Sequence, residues 1–363
     1  MVRSSLLSRL KRLLAAQANV RHSKFNRAQS TSKQSTWGFT LIEVLVVAAI
    51  AGGLVTGLMF IVVQLMQADQ RESARTETQR EMQLAMDYVS DELREAVFVY
   101  TGDYLPTLAQ YLPDTLTAGD SVPVVAFWRQ QAFPETVRTA CASASPPAGV
   151  GCMSGQSYSL VVYSLTRNPS PRPAGSPWRG GARITRYALT QFQGNSTTVT
   201  PGYVNPGDQG NFVNWPFFSG TNLQTARGGR PTATAGTVNT LVDFVDREQA
   251  TPAVRCPGDN PAVARKPYSI SPPDGMLDTA FGAGNRLRSF YACVSSSRAE
   301  GTGTSLQNLQ TTGSYQDVLL YLRGSAVGRP GIPTAPISRS AELLPTLETR
   351  IMLQGVLTRE PPS

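Results

Sequence analysis

Hydrophobic and polar positions divide the chain into three regimes. From Gly38 to Met66 (GFTLIEVLVVAAIAGGLVTGLMFIVVQLM) Glu43 is the only charged residue, and the 25 residues from Val44 to Ala68 carry none. A helix of about 20 apolar residues crosses a hydrocarbon core, so residues 39–66 are predicted to span a membrane. From Gln67 to Tyr100 there is neither Gly nor Pro, and Met82, Ala85, Met86, Val89, Leu93, Ala96 and Val97 recur mostly three or four apart. That spacing is the apolar stripe of an amphipathic helix. The helix is therefore predicted to continue over 67–100, with Asp69–Glu81 as a solvated neck and the stripe docked on a sheet.

Residues 101–363 are richer in Gly, Pro, Ser and Thr, with short β-branched and aromatic runs. Val122–Trp128, Tyr158–Leu165, Arg183–Phe192, Thr240–Val245, Ser289–Ser295, Asp317–Leu322 and Arg350–Leu357 are the strand candidates. Between them lie irregular stretches at Asn168–Gly181, Gly194–Arg230 and Glu248–Asn285, of a length that is usually functional, partly disordered or decorated. The expected class is α+β: a long N-terminal helix, membrane-spanning in its first half, packed on an antiparallel β-sheet head with long loops.

Charge changes this picture at one end only. Of the 33 basic residues, eight (Arg3, Arg9, Lys11, Arg12, Arg21, Lys24, Arg27 and Lys33) precede Phe39, where there is no acid. The 25 that remain balance the 25 acidic residues. The net charge of +8 thus marks a flank of the span rather than a nucleic-acid surface, and Lys/Arg excess lies on the cytoplasmic side. The expected topology is single-pass, N-in and C-out. A lone carboxylate within a span is costly and points to function, which singles out Glu43. The only histidine, His22, lies in the basic segment; without that segment no imidazole is left for triads or metal sites. Cys141, Cys152, Cys256 and Cys293 form no C-x-x-C pair. In an exported domain an even count reads as two disulfides, neighbours pairing first, although four cysteines allow three pairings and buried thiols are the alternative.

Gly38-Phe39-Thr40-Leu41-Ile42-Glu43-Val44-Leu45-Val46, placed after a basic leader and before a long apolar helix, resembles the class III signal of type IV pilins and type II secretion pseudopilins. An ordinary signal peptide would place its cut site after the apolar core. The resemblance implies that a prepilin peptidase cuts after Gly38 and methylates Phe39, removing residues 1–38. It also implies that Glu43 aids assembly by neutralising the N-terminal amine of a neighbouring subunit. The implied partners are that peptidase, other pilins or pseudopilins, an inner-membrane assembly platform and membrane lipid. The implied location is the cytoplasmic (inner) membrane with the head in the periplasm, then a pilus or pseudopilus.

Departures from that pattern are the long leader, Trp37 before Gly38 where a basic residue is frequent, and the lack of a central helix proline. Gly52, Gly53 and Gly57 loosen the helix instead, or permit close helix packing. Leu93-Arg94-Glu95-Ala96 and Val318–Arg323 are similar to the helix end and a late strand of the larger minor pseudopilins of the J and W type. Size, leader and loops also resemble the pseudopilins of polysaccharide secretion in gliding cyanobacterial filaments.

Other chemistry leaves little trace. There is no Walker loop, and Gly282-Ala283-Gly284 reads as a turn. Asp274 and Asp278 lack the EF-hand spacing for Ca²⁺ and read as a Pro/Asp/Gly turn. Asn195-Ser196-Thr197 matches a glycosylation acceptor, and Asp87, Asp91 and Glu92 read as a solvated helix face. No cofactor, metal or nucleic-acid stripe is expected. The expectation is a non-enzymatic filament subunit for secretion or motility. The alternative is a signal-anchored exported binding protein or enzyme that mimics the signal.

Overall fold

The long helix α1 runs from Leu41 to Arg94, and Ala96–Val99 then form strand β1. A computed structural model describes residues 38–353 except 118, 144–146, 148–149, 210–211, 233, 250–253, 260–266, 296–316 and 333–343. Helix was expected to reach Tyr100, but it stops six residues earlier. Ala96-Val97-Phe98-Val99 is a β-branched and aromatic run, and it buries more by joining a sheet than by adding a turn. β1 pairs with β2 (Ser121–Ala132) in antiparallel register, Phe98 opposite Trp128 and Val99 opposite Phe127, with a bulge between Ala96 and Phe98.

Contacts divide the chain into two units, Met1–Ile61 and Val62–Ser363. In the first, the described residues are Gly38–Thr40 and the start of α1. The second holds the rest of α1 and an α+β head. Among its described residues, β1, β2, β3 (Gln156–Arg167), β4 (Ala182–Leu189) and β7 (Thr237–Val245) form one antiparallel sheet in the order β1-β2-β3-β4-β7. A second antiparallel sheet has the order β11-β10-β9-β8, from Thr346–Met352, Asp317–Arg323, Phe290–Ser295 and Tyr268–Ser271. A small hairpin pairs β5 (Phe217–Phe218) with β6 (Thr221–Asn222). Its two-residue turn, Ser219-Gly220, has positive φ at both positions, as tight hairpins require.

The side-chain alternation of β3 explains the layering. Val161, Tyr163 and Leu165 face a core shared with Met82, Met86, Val89 and Leu93 of α1 and with Val318, Leu320 and Leu322 of β10. Leu160 and Val162 face a second core containing Tyr100, Trp128, Tyr187, Tyr203, Phe212 and Trp215. The first sheet is covered on both faces, which is why β2 reads as an unbroken apolar run rather than an alternating one.

The stretch 194–230 builds much of that second core. Trp215 Nε1 donates to the Val204 carbonyl at 2.8 Å, and the Tyr203 hydroxyl to the Tyr158 carbonyl at 2.7 Å. The two sheets meet at one corner: the Asp246 amide donates to the Arg323 carbonyl at 3.1 Å and the Ser325 amide to the Phe244 carbonyl at 2.9 Å. Cys141 is bonded to Cys152, and Cys256 to Cys293. The second bond ties the segment around Cys256 to the outer face of the second sheet, beside Leu319, Tyr291 and Tyr321.

Candidate functional site

The described chain opens at Gly38, so residues 1–37, including His22 and the basic leader, lie outside the described residues. Gly38, Phe39 and Thr40 precede the first helical turn, and Phe39 is 77% exposed. Thr40 caps the helix: its carbonyl accepts from the Glu43 amide at 3.0 Å, and its hydroxyl oxygen accepts from the same amide at 3.3 Å. Glu43 is thus the acidic residue of the first turn, where a carboxylate complements the positive end of the helix dipole. The Thr-x-x-Glu spacing is that of a capping box, a local role that stands beside any intermolecular one.

Every residue from Gly38 to Ser73 is exposed. The run covers the apolar first part of α1, the one helix among the described residues that is long and apolar enough to cross a membrane, and none of that apolar stretch is buried. A Cβ added at Gly52, Gly53 or Gly57 would meet nothing within 4 Å. Contiguous apolar surface beyond a few hundred Å² marks a membrane or partner contact, and here it lies on every side of the apolar stretch that opens α1.

The charges on the later part of α1 behave differently from the solvated face expected of them. Asp87 and Asp91 are exposed, but Glu92 is only 6% exposed and faces the first sheet. Its Oε2 accepts from Arg186 Nε at 2.8 Å and its Oε1 from Arg186 Nη2 at 2.7 Å. The Tyr163 hydroxyl donates to Oε2 at 2.5 Å, and Arg129 Nη1 lies 3.0 Å from Oε1. Burial pushes the Glu92 carboxyl up, but hydrogen bonds from Arg186 and Tyr163 and the charges of Arg186 and Arg129 outweigh it, and the net shift is downward. Burial, then the bond to Glu92, pushes the Tyr163 hydroxyl up. A stripe count hides Glu92 because it sits between Val89 and Leu93, where the stripe already points inward.

The stretch expected to be a solvated neck is also partly covered. Ala74 and Thr78 are buried. Arg329, with a side chain 4% exposed, donates from Nε to the Thr78 hydroxyl at 2.7 Å and lies 2.9 Å from Glu77 and 2.5 Å from Glu81. Its guanidinium sits 4.0 Å from the centre of the Phe244 ring. Gly331 lies so close to Gln70 that a Cβ would approach its side chain to 2.6 Å. No local pattern around Arg329 announces this contact, which joins residues 251 apart.

Asp274 and Asp278 belong to a short helix, Asp274–Phe281, rather than a turn. Arg286 binds Asp278 through two hydrogen bonds and Asp274 through one, and Arg288 also binds Asp274. Hydrogen bonding from Arg286 holds the Asp278 carboxyl below its ordinary value. These carboxylates are occupied by arginine, and among the described residues no group of three or more His, Cys, Asp or Glu is placed to hold a metal ion. Gly282 and Gly284 both have positive φ, 86° and 83°, beyond the end of that helix. Asn195 is exposed, and its side-chain oxygen accepts from the amide and hydroxyl of Thr136 at 3.3 and 3.2 Å.

No protein family, no characterised protein and no solved structure matches the chain.

Proposed function

We propose that the chain is a non-enzymatic minor pilin or pseudopilin. It is held in the membrane by residues 39–66, cut after Gly38, methylated on Phe39, and built through α1 into a short filament serving secretion or motility. The observation that carries this reading is one arrangement. A basic leader, the Gly38-Phe39 junction and the lone carboxylate of Glu43 stand directly ahead of an apolar helix with no buried side chain before Ala74. Cleavage at that junction creates an amine, and Glu43 is the carboxylate available to a neighbouring copy of it. In a bundle of parallel apolar helices a buried carboxylate needs such a counter-charge. The head, tied to α1 through Glu92 and Arg329, then moves with the helix as a displayed surface.

Mass spectrometry of the protein recovered from its native membrane tests the processing step. The expected mature terminus is N-methyl-Phe39, and an intact leader or a start elsewhere rejects the proposal. The partners on this reading are a prepilin peptidase, other pilins and an assembly platform in the membrane.

A further inference from the structure

β11 is the open edge of the second sheet. It pairs with β10 over seven consecutive residues, from Asp317 opposite Met352 to Arg323 opposite Thr346, without a bulge. Among the described residues no strand lies on its other side. The other sheet edges are blunted. β1 carries a bulge, β7 shifts register twice, and β8 has only four residues, with Gly102 lying against the Ile270 carbonyl. Bulges, prolines, lysines and short strands are the usual protection of an edge against pairing with another chain. β11 (TLETRIM) has no Gly, Pro or Lys, and its two charges, Glu348 and Arg350, are opposite in sign.

The pleat fixes which groups face outward. The Gly324 amide donates to the Pro345 carbonyl at 2.9 Å on the β11 side, and the Arg323 amide to the Ser289 carbonyl at 2.6 Å on the β9 side. Backbone groups alternate in direction along an antiparallel pair. Leu347, Thr349 and Ile351 therefore bond to β10, and Thr346, Glu348, Arg350 and Met352 hold their amides and carbonyls toward the open side. All four of these residues are exposed, Met352 by 65%. Glu348 accepts from the Tyr321 hydroxyl at 3.0 Å and has no basic partner among the described residues. Arg350 binds Asp317 through Nε and Nη2, at 3.0 and 2.8 Å, which leaves its Nη1 available.

We propose that β11 pairs antiparallel with β11 of a second copy of this chain, about a two-fold axis at Thr349. Centring the pair on Glu348 or on Arg350 would set like charges face to face, which is destabilising. Centred on Thr349, it sets Glu348 opposite Arg350 twice and Leu347 opposite Ile351 twice, and every outward residue finds an outward partner. Self-complementarity of this kind is what a two-fold interface requires, and the ladder hydrogen bonds supply its affinity. Two four-stranded sheets then become one sheet of eight. The inference concerns the head alone and does not rest on the reading of residues 39–66.

The test introduces one thiol into the full chain in detergent, where the four native cysteines are held in two disulfides. On mild oxidation Thr349→Cys should give a disulfide-linked dimer, because the paired Cα atoms would lie about 4.5 Å apart, within disulfide reach. Thr346→Cys should not, since its two copies would stand about 20 Å apart along the strands. Thr346 is the more exposed of the two, so random collision would give the opposite order. In the Thr349→Cys background, Glu348→Lys or Arg350→Glu should each cut the dimer yield about tenfold by opposing like charges twice. Mixing those two variants should restore it, because Lys then faces Glu and Arg faces Glu; a misfolded strand would not recover on mixing. The same charge series, read by sedimentation of chains that keep Thr349, gives the answer if the cysteine disturbs the strand. Crosslinking at 346 as readily as at 349, or no recovery on mixing, overturns the proposal. A chain that stays monomeric also overturns it and leaves the edge to a strand of another protein.

Discussion

Glu92 on α1 and Arg186 on β4 meet in a two-pronged ion pair, 2.8 and 2.7 Å, with only 7% and 12% of their side chains exposed. The pair fixes how the helix sits on the first sheet, because the hydrogen bonds are made at one register and one rotation only. Removing one partner of a buried pair strands the other charge at a cost of about 3–5 kcal/mol, while replacing both by apolar residues is often neutral. Glu92→Ala is therefore expected to lower the urea midpoint with little change in m. Glu92→Leu/Arg186→Met should recover much of the loss, and a double variant weaker than either single would contradict the assignment.

The same residue sets an acid limit on stability. The folded Glu92 carboxyl lies below its ordinary value of 4.5, so the unfolded chain binds the proton more readily. Its contribution is complete above that value and is lost as pH falls through the lower folded one. Denaturation measured from pH 6 downward should show this decline, on the order of one proton's linkage slope. Glu92→Gln should flatten it, and an identical pH profile for the variant would assign the acid sensitivity elsewhere.

Arg329 is expected to govern a different part of α1. Arg329→Ala removes the bond to Thr78 and the contacts with Glu77, Glu81 and Phe244. Truncation of a nearly buried, multiply bonded arginine costs about 2–4 kcal/mol. Hydrogen exchange should speed up at residues 74–82 while 85–93 stay protected. Uniform acceleration along the helix would show that the contact is not local.

The disulfides should differ in weight. Cys256–Cys293 closes 37 residues and Cys141–Cys152 closes 11; loop-closure entropy gives about 4 and about 3 kcal/mol respectively. Cys256 and Cys293 are also buried beneath the tyrosines of the second sheet. Cys256→Ala/Cys293→Ala should therefore lower Tm more than Cys141→Ala/Cys152→Ala, and the reverse order in a thermal scan would reject this ranking.

Glu43→Val separates two roles of one carboxylate. Loss of a carboxylate from the positive end of α1 costs about 0.3–1 kcal/mol of local helix stability, too little to unfold the head. On the proposed function the variant is cut and methylated normally but fails to co-purify with partner pilins. Normal co-purification would remove Glu43 from assembly.

Much of this architecture was legible because it rests on period. The stripe from Met82 to Leu93 and the runs Val122–Trp128 and Tyr158–Leu165 carry their own geometry, and helix and strands formed there. The end of α1 was less so: Ala96 and Val97 continue a helical spacing, but Val97-Phe98-Val99 gains a sheet partner that no local count reveals. Tyr268–Ser271 is a four-residue strand inside a Pro/Asp-rich stretch, too short to rise above its surroundings. Glu92 and Arg329 were invisible for a common reason. A charged residue is ordinarily solvated, and only a partner far along the chain makes its burial tolerable.

A mechanical consequence follows from the junction at Glu95, the single residue between α1 and β1. Tension on α1 has no slack linker in which to dissipate. It meets the Arg329 grip near Thr78, then the Glu92–Arg186 lock, and beyond them passes directly into β1, an edge strand laddered to β2. Pulling on this part of the helix therefore loads the first sheet directly.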